Sequence, residues 1–142
     1  HDGRAGVLID QLALRCAAVM SDGSLGAVTT SADFFGNAQG GSPIGPIDCP
    51  TDAALVEGGG NTGGHVHDLV GGCNTIADIA AGVASADHIA ETGSFGNTYN
   101  DSVPFALPCP DGWVATGIVA QGDASEGLLA SVTYICREVL AQ

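Results

Sequence analysis

His65 and His67 stand two apart in "GGHVHDLVGGC", next to Asp68, and are the first residues whose types and spacing suggest chemistry. Alternate residues of a strand share a face, so two imidazoles at this spacing can hold a metal. The commoner role of such a pair is a polar turn rim or a contact to a sugar, and we expect neither a metal nor a cofactor. His1 offers an amine and an imidazole to copper, but such a centre needs a second histidine across a flat face. Gly58-x-Gly60-x-x-Gly63 has the spacing of a dinucleotide-binding turn, which must open a helix so that pyrophosphate meets its N-terminus. The chain instead enters "HVHDLVGGC", without helical length or period, so these glycines read as a hairpin turn. There is no G-x-S-x-G, and we expect no enzyme. Asp123 and Glu126 could bind a cation weakly but read as solvated turn acids, and Asn100-Asp101-Ser102 is a glycosylation sequon.

The elements holding these residues belong to a glycine-rich chain. It has 142 residues, 22 glycines and 45% hydrophobic residues, which suits one compact, turn-rich domain. Arg4, Arg15 and Arg137 face 16 acids, for a formal charge of −13. That charge repels phosphate backbones, so nucleic acid is an unfavourable partner. No run of eighteen apolar residues exists to insert into a membrane. The chain opens on histidine without a signal-like segment, which points to a removed leader or a trimmed product. Five cysteines without a C-x-x-C pair favour bridges over zinc or redox chemistry, and bridges imply a secreted, extracellular setting.

The chain also repeats itself. "CPTDAALVEGGGNTGGHVHDLVGGC" (Cys49 to Cys73) and "CPDGWVATGIVAQGDASEGLLASVTYIC" (Cys109 to Cys136) both open with Cys-Pro, enter a short apolar strand and cross a glycine turn. Both return through a second strand to a cysteine. The preceding "FGNAQGGSPIGPIDCP" (Phe35 to Pro50) aligns without a gap on "FGNTYNDSVPFALPCP" (Phe95 to Pro110), with Ser42 on Ser102. A repeat of about sixty residues follows, with an incomplete first copy at 1–48, a second at 49–108 and a third at 109–142. Opening and closing cysteines of one hairpin lie side by side, which predicts Cys49–Cys73 and Cys109–Cys136, each worth roughly 3 kcal/mol. The rival pairing, Cys16–Cys49 with Cys73–Cys109, leaves Cys136 alone and does not explain the repeat.

"GRAGVLIDQLALRC" (Gly3 to Cys16) then reads as the second half of a hairpin whose first half is missing. Its Leu12, Leu14 and Cys16 alternate as on a half-buried strand. Cys16 is left unpaired, or bridged to a missing segment, and His1 falls within a turn. The linker 17–48 reads as strands and loops. In the linker 74–108, Ile76, Ile79, Ala80 and Val83 recur at helical spacing, with Gly82 interrupting the pattern. Phe34, Phe35, Phe95 and Trp113 read as core, with Trp113 a sugar-stacking platform if exposed.

"CPDGWVATGI" (Cys109 to Ile118) and "GVLIDQLALRC" (Gly6 to Cys16) together resemble the repeats of jacalin-related lectins, above all their disulfide-bearing, lectin-like relatives. The resemblance implies an all-β fold, a β-prism of three four-stranded Greek-key sheets about a pseudo-threefold axis. It also implies glycans as partners, held at a Gly-x-x-x-Asp turn. There a carboxylate accepts from sugar hydroxyls and glycine lets backbone N–H groups approach. Carried onto this chain, the turn is Gly6, Leu8, Ile9 and Asp10. A second is Gly64 with Asp68, where the strand to Cys73 is one residue shorter than that from Asp10 to Cys16. In the third copy Ser131 stands where the acid is needed.

Two classes of function follow. One is a secreted carbohydrate-binding module. The other is a structural subunit, since a domain lacking a strand presents an edge that captures strands from other copies, building an oligomer, filament or layer with Cys16 near the junction. Cleavage within the first hairpin, leaving the missing strand bridged to Cys16, would yield the first class instead.

Overall fold

The computed structural model describes residues 1–6, 8–20, 22–32, 34–97, 102–123 and 125–139, and these are nearly all β. The first part of the chain forms β1 (Asp2–Ala5), β2 (Ile9–Ala13), β3 (Arg15–Cys16), β4 (Thr29–Thr30), β5 (Phe35–Gly36) and β6 (Ser42–Ile44). Next come β7 (Ala53–Thr62), β8 (Val66–Thr75), the helix α1 (Ile76–Ala80), β9 (Ala90–Glu91), β10 (Phe95–Gly96) and β11 (Val103–Pro108). A last hairpin pairs β12 (Trp113–Gly122) with β13 (Leu129–Glu138). The sequon residues Asn100 and Asp101 lie outside the described residues.

Two sheets share one order. The first runs β5-β2-β1-β6 and the second β10-β8-β7-β11, with every pairing antiparallel. Part of the opening stretch therefore has a partner within its own hairpin. Asp2–Ala5 pairs with Ile9–Ala13, and His1 is a buried strand-end residue, not part of a turn. Its ammonium donates to the Ile47 carbonyl while the Ile47 N–H donates back to the His1 carbonyl, continuing the ladder. Leu12 is fully buried, but Leu14 interrupts the strand and Cys16 is exposed, so the buried face ends sooner than the alternation predicts.

The repeat is visible in the register. At the turn of each hairpin the ladder slips by one residue, setting Ala5 opposite Ile9, Thr62 opposite Val66 and Gly122 opposite Leu129. Ile9, Val66 and Leu129 meet in one core cluster, as do Leu12, Leu69 and Val132, each three residues further on. Burying each such aliphatic side chain stabilises by about 1.5–3 kcal/mol. Seven residues beyond each starting point (9 to 16, 66 to 73, 129 to 136) stands a cysteine. Cys73 is bonded to Cys49 and Cys136 to Cys109, while Cys16 is free.

The Phe-Gly-Asn motif has a structural reason. Phe95 is fully buried in the core. Gly36 and Gly96 have φ of +98° and +107°, and a Cβ on either would collide with a carbonyl of the neighbouring strand, that of Asp10 or His67. The next residue, Asn37 or Asn97, donates its N–H to that same carbonyl. In β6 the ungapped alignment is one residue out, because Pro43 faces Arg4 where Pro104 faces Asn61, and it is back in step by Ile47, which bonds to His1 as Leu107 pairs with Gly58. Phe34 departs from its expected core role and is 48% exposed.

The second linker begins with the short helix its periodicity predicts. Thr75 caps it, accepting from the Asp78 N–H, and Ile76 and Ile79 bury against Val56. Gly82, at φ +76°, follows its end.

Candidate functional site

The turn from Gly6 to Leu8 joins β1 to β2, closed by a bond from the Gly6 N–H to the Leu8 carbonyl. Gly6 is exposed and Leu8 half-buried. Ile9 is wholly in the core, so only its backbone can reach a ligand. Asp10, next along, is half-buried and points toward the linker segment Gly40–Gly41, where a side chain on Gly40 would collide with its carboxylate. Among the described residues this carboxylate has no hydrogen-bond partner. Arg4, across the hairpin, donates from Nε to the Gly40 carbonyl at 2.7 Å and from Nη2 to the Gly41 carbonyl at 2.8 Å. It thereby fixes the glycine segment beside Asp10. The site thus consists of one carboxylate acceptor between Gly6 and the Gly40–Gly41 backbone, with a guanidinium holding the latter in place.

Neither Arg4 nor Gly40–Gly41 emerges from the sequence as part of a site. The one signal is the Gly-Gly pair in "AQGGSP", because a side chain on either residue would strike Asp10.

The second turn differs. Counting from Ile9 and Val66, Asp10 corresponds to His67, and Asp68 corresponds to Gln11. Gly6 matches Gly63, whose N–H donates to the His65 carbonyl as Gly6 does to Leu8. The structure therefore corrects the pairing of Gly64 with Asp68. Asp68 is only 1% exposed, and Asn61 Nδ2 donates to both its oxygens at 3.0 and 3.1 Å. A carboxylate so enclosed braces the strand pair and does not face a ligand. Gly64 sits at the exposed turn with open space around it.

The two histidines separate as well. His67 is buried at 7% exposure, whereas His65 reaches the third turn, its Nε2 3.7 Å from Asp123 and 3.8 Å from Glu126. Asp123 Oδ1 accepts from the Ser125 hydroxyl and from the N–H groups of Ser125 and Glu126, which hold its carboxyl down to about 2. Its bonds are thus spent on shaping the turn. Among the described residues no three His, Cys, Asp or Glu side chains are grouped to hold a metal. Ser131 is exposed and pairs with Gln121, and Trp113 is half-buried at the start of β12.

Below the first hairpin lies a cleft of about 470 Å³. Its walls include Leu14, Cys16 and Ile47, with Leu55 and Ala115 of the other two hairpins. The chain matches no family model, no curated protein and no solved structure. No helix among the described residues is long and apolar enough to cross a membrane.

Proposed function

We propose that this chain is a secreted, lectin-like carbohydrate-binding module of the β-prism type, with its sugar site at Gly6, Asp10 and Gly40–Gly41. The observation that carries this reading is the Asp10 carboxylate, which has no protein hydrogen-bond partner among the described residues yet lies beside an exposed glycine turn. An ionised carboxylate is a strong acceptor for vicinal hydroxyls, and glycine backbone on both sides lets a pyranose ring come close. The site is single, since the second hairpin has His67 at this position and the third has Ala130. Two disulfides are compatible with an oxidising, extracellular setting. The related order of two sheets, and the meeting of three hairpins in one core, support the prism.

The test is a glycan array probed with the native protein and with Asp10→Ala. Binding to a defined glycan class by the native protein, lost in a variant with unchanged circular dichroism, is the expected result. Equal signals from the two proteins would remove the site.

A further inference from the structure

One loop holds Asp10 from two directions. After β5 the segment 37–41 starts on the Asp10 backbone, where the Asn37 N–H donates to the Asp10 carbonyl at 2.6 Å. It returns with Gly40 against the Asp10 carboxylate, and Arg4 fastens that end through the Gly40 and Gly41 carbonyls. The starting end is shaped by Asn37 itself, whose Oδ1 accepts from the Gln39 N–H at 2.9 Å. Asn37 is exposed, and its Nδ2 amide has no hydrogen-bond partner among the described residues. The third hairpin reaches the same place. A Cβ on Gly127 would lie 2.9 Å from the Asn37 Cβ and 3.3 Å from Nδ2, so a side chain there would crowd the amide. Glycine at this position, with φ +70°, leaves it uncovered. Asp123 and Glu126 belong to this same turn, with His65 of the second hairpin 3.7 and 3.8 Å from them.

We propose that Asn37 is a specificity-determining residue that contacts a second sugar, so that the ligand is an uncharged oligosaccharide. This rests on the reading of Asp10 as the primary sugar contact. One ring of the ligand sits on the Asp10 carboxylate, beside Gly6 and Gly40–Gly41. The adjoining ring lies over the start of the loop, where Asn37 Nδ2 donates to one of its oxygens. The two contacts serve separate rings because they stand at opposite ends of the loop. Gly40 meets the Asp10 carboxylate, whereas Asn37 meets the Asp10 backbone and the third turn. The charge of the glycan follows from the same surroundings. Asp10, Asp123 and Glu126 are all acids, and the chain has three arginines to set against them. Arg4 is spent on the loop carbonyls and Arg15 on Asp48, while Arg137 stands opposite Val114, away from the turn of its hairpin. A sialate, uronate or sulfate would meet repulsion here with no guanidinium to offset it.

The test places the native protein, Asn37→Asp, Gly127→Ala and Asp10→Ala on one array of neutral oligosaccharides, their terminal monosaccharides and their sialylated or sulfated counterparts. Asn37→Asp keeps an oxygen for the Gln39 N–H and removes the donor, while Gly127→Ala crowds the amide without adding charge. The native protein should bind a neutral oligosaccharide on the order of tenfold more tightly than its terminal monosaccharide, and the anionic counterparts more weakly still. Titration with that oligosaccharide should show a loss of about threefold to tenfold in Asn37→Asp and in Gly127→Ala, the worth of one hydrogen bond, with a smaller loss for the monosaccharide. Equal native affinity for oligosaccharide and monosaccharide, a preference for anionic glycans, or undiminished oligosaccharide binding by both variants would overturn the proposal. Those results leave the primary site standing as long as Asp10→Ala abolishes binding. Asp10→Ala binding as well as the native protein would instead remove the primary site, and the second contact with it.

Discussion

His1 Nε2 lies 2.9 Å from the Tyr134 hydroxyl, so the first residue of the chain is tied to its last strand through the core. Both side chains are buried, and burial pushes the Tyr134 phenol well above its ordinary value of 10.0. Tyr134→Phe leaves a buried imidazole nitrogen without this partner and should cost about 1–3 kcal/mol. The expected result is a lower urea midpoint with an unchanged slope. The pH dependence has a definite sign. A phenol whose folded value is raised contributes stability that is present below pH 10.0 and lost as pH climbs beyond it. The native protein should therefore weaken in alkali more steeply than Tyr134→Phe, and parallel curves would contradict this.

Gly96 and Gly64 both have positive φ but differ in surroundings. A Cβ at Gly64 meets open space, so Gly64→Ala should cost only the backbone term, about 1 kcal/mol. At Gly96 a Cβ would strike the His67 carbonyl as well, and Gly96→Ala should exceed that figure, reaching about 3 kcal/mol. Thermal denaturation of the two variants, side by side, gives the order.

The third hairpin depends on its bridge. Replacing Cys109 and Cys136 by alanine opens a loop of 27 residues and should lower stability by about 3 kcal/mol. Denaturant titration should show this loss. A variant pair as stable as the native protein would mean that the strand pairing suffices without the clasp.

Asp123 governs the acid behaviour of its turn. Its carboxyl lies below its ordinary value of 3.8, at about 2, chiefly because the Ser125 hydroxyl and then the Ser125 and Glu126 N–H groups favour the ionised form. The contribution is complete above pH 3.8 and disappears as pH falls toward 2. An NMR titration of the carboxyl carbon should place the midpoint near the lower value, and Ser125→Ala should move it upward. A midpoint near 3.8 in the native protein would refute the turn geometry.

Much of the fold was legible in the residues because the repeat is written in them. Cys-Pro, Phe-Gly-Asn and the closing cysteines mark positions where a disulfide, a close backbone approach or a core ring constrains the residue type, so they recur in recognisable form. The pairing of Cys49 with Cys73 and of Cys109 with Cys136 follows from hairpin geometry, as does the place of Cys16 as the remaining thiol. Strand register was not legible. A one-residue slip at each turn exchanges which side chains point inward, and no local pattern announces it. Only the assembled sheets decide that Asp68 is enclosed and paired with Asn61 while Asp10 lies against Gly40–Gly41. Only they bring Asp48 across to Arg15, because two residues so far apart along the chain meet through a sheet edge that exists after folding. Residue identity set the chemistry available at each position, and long-range pairing determined which of those groups faces solvent.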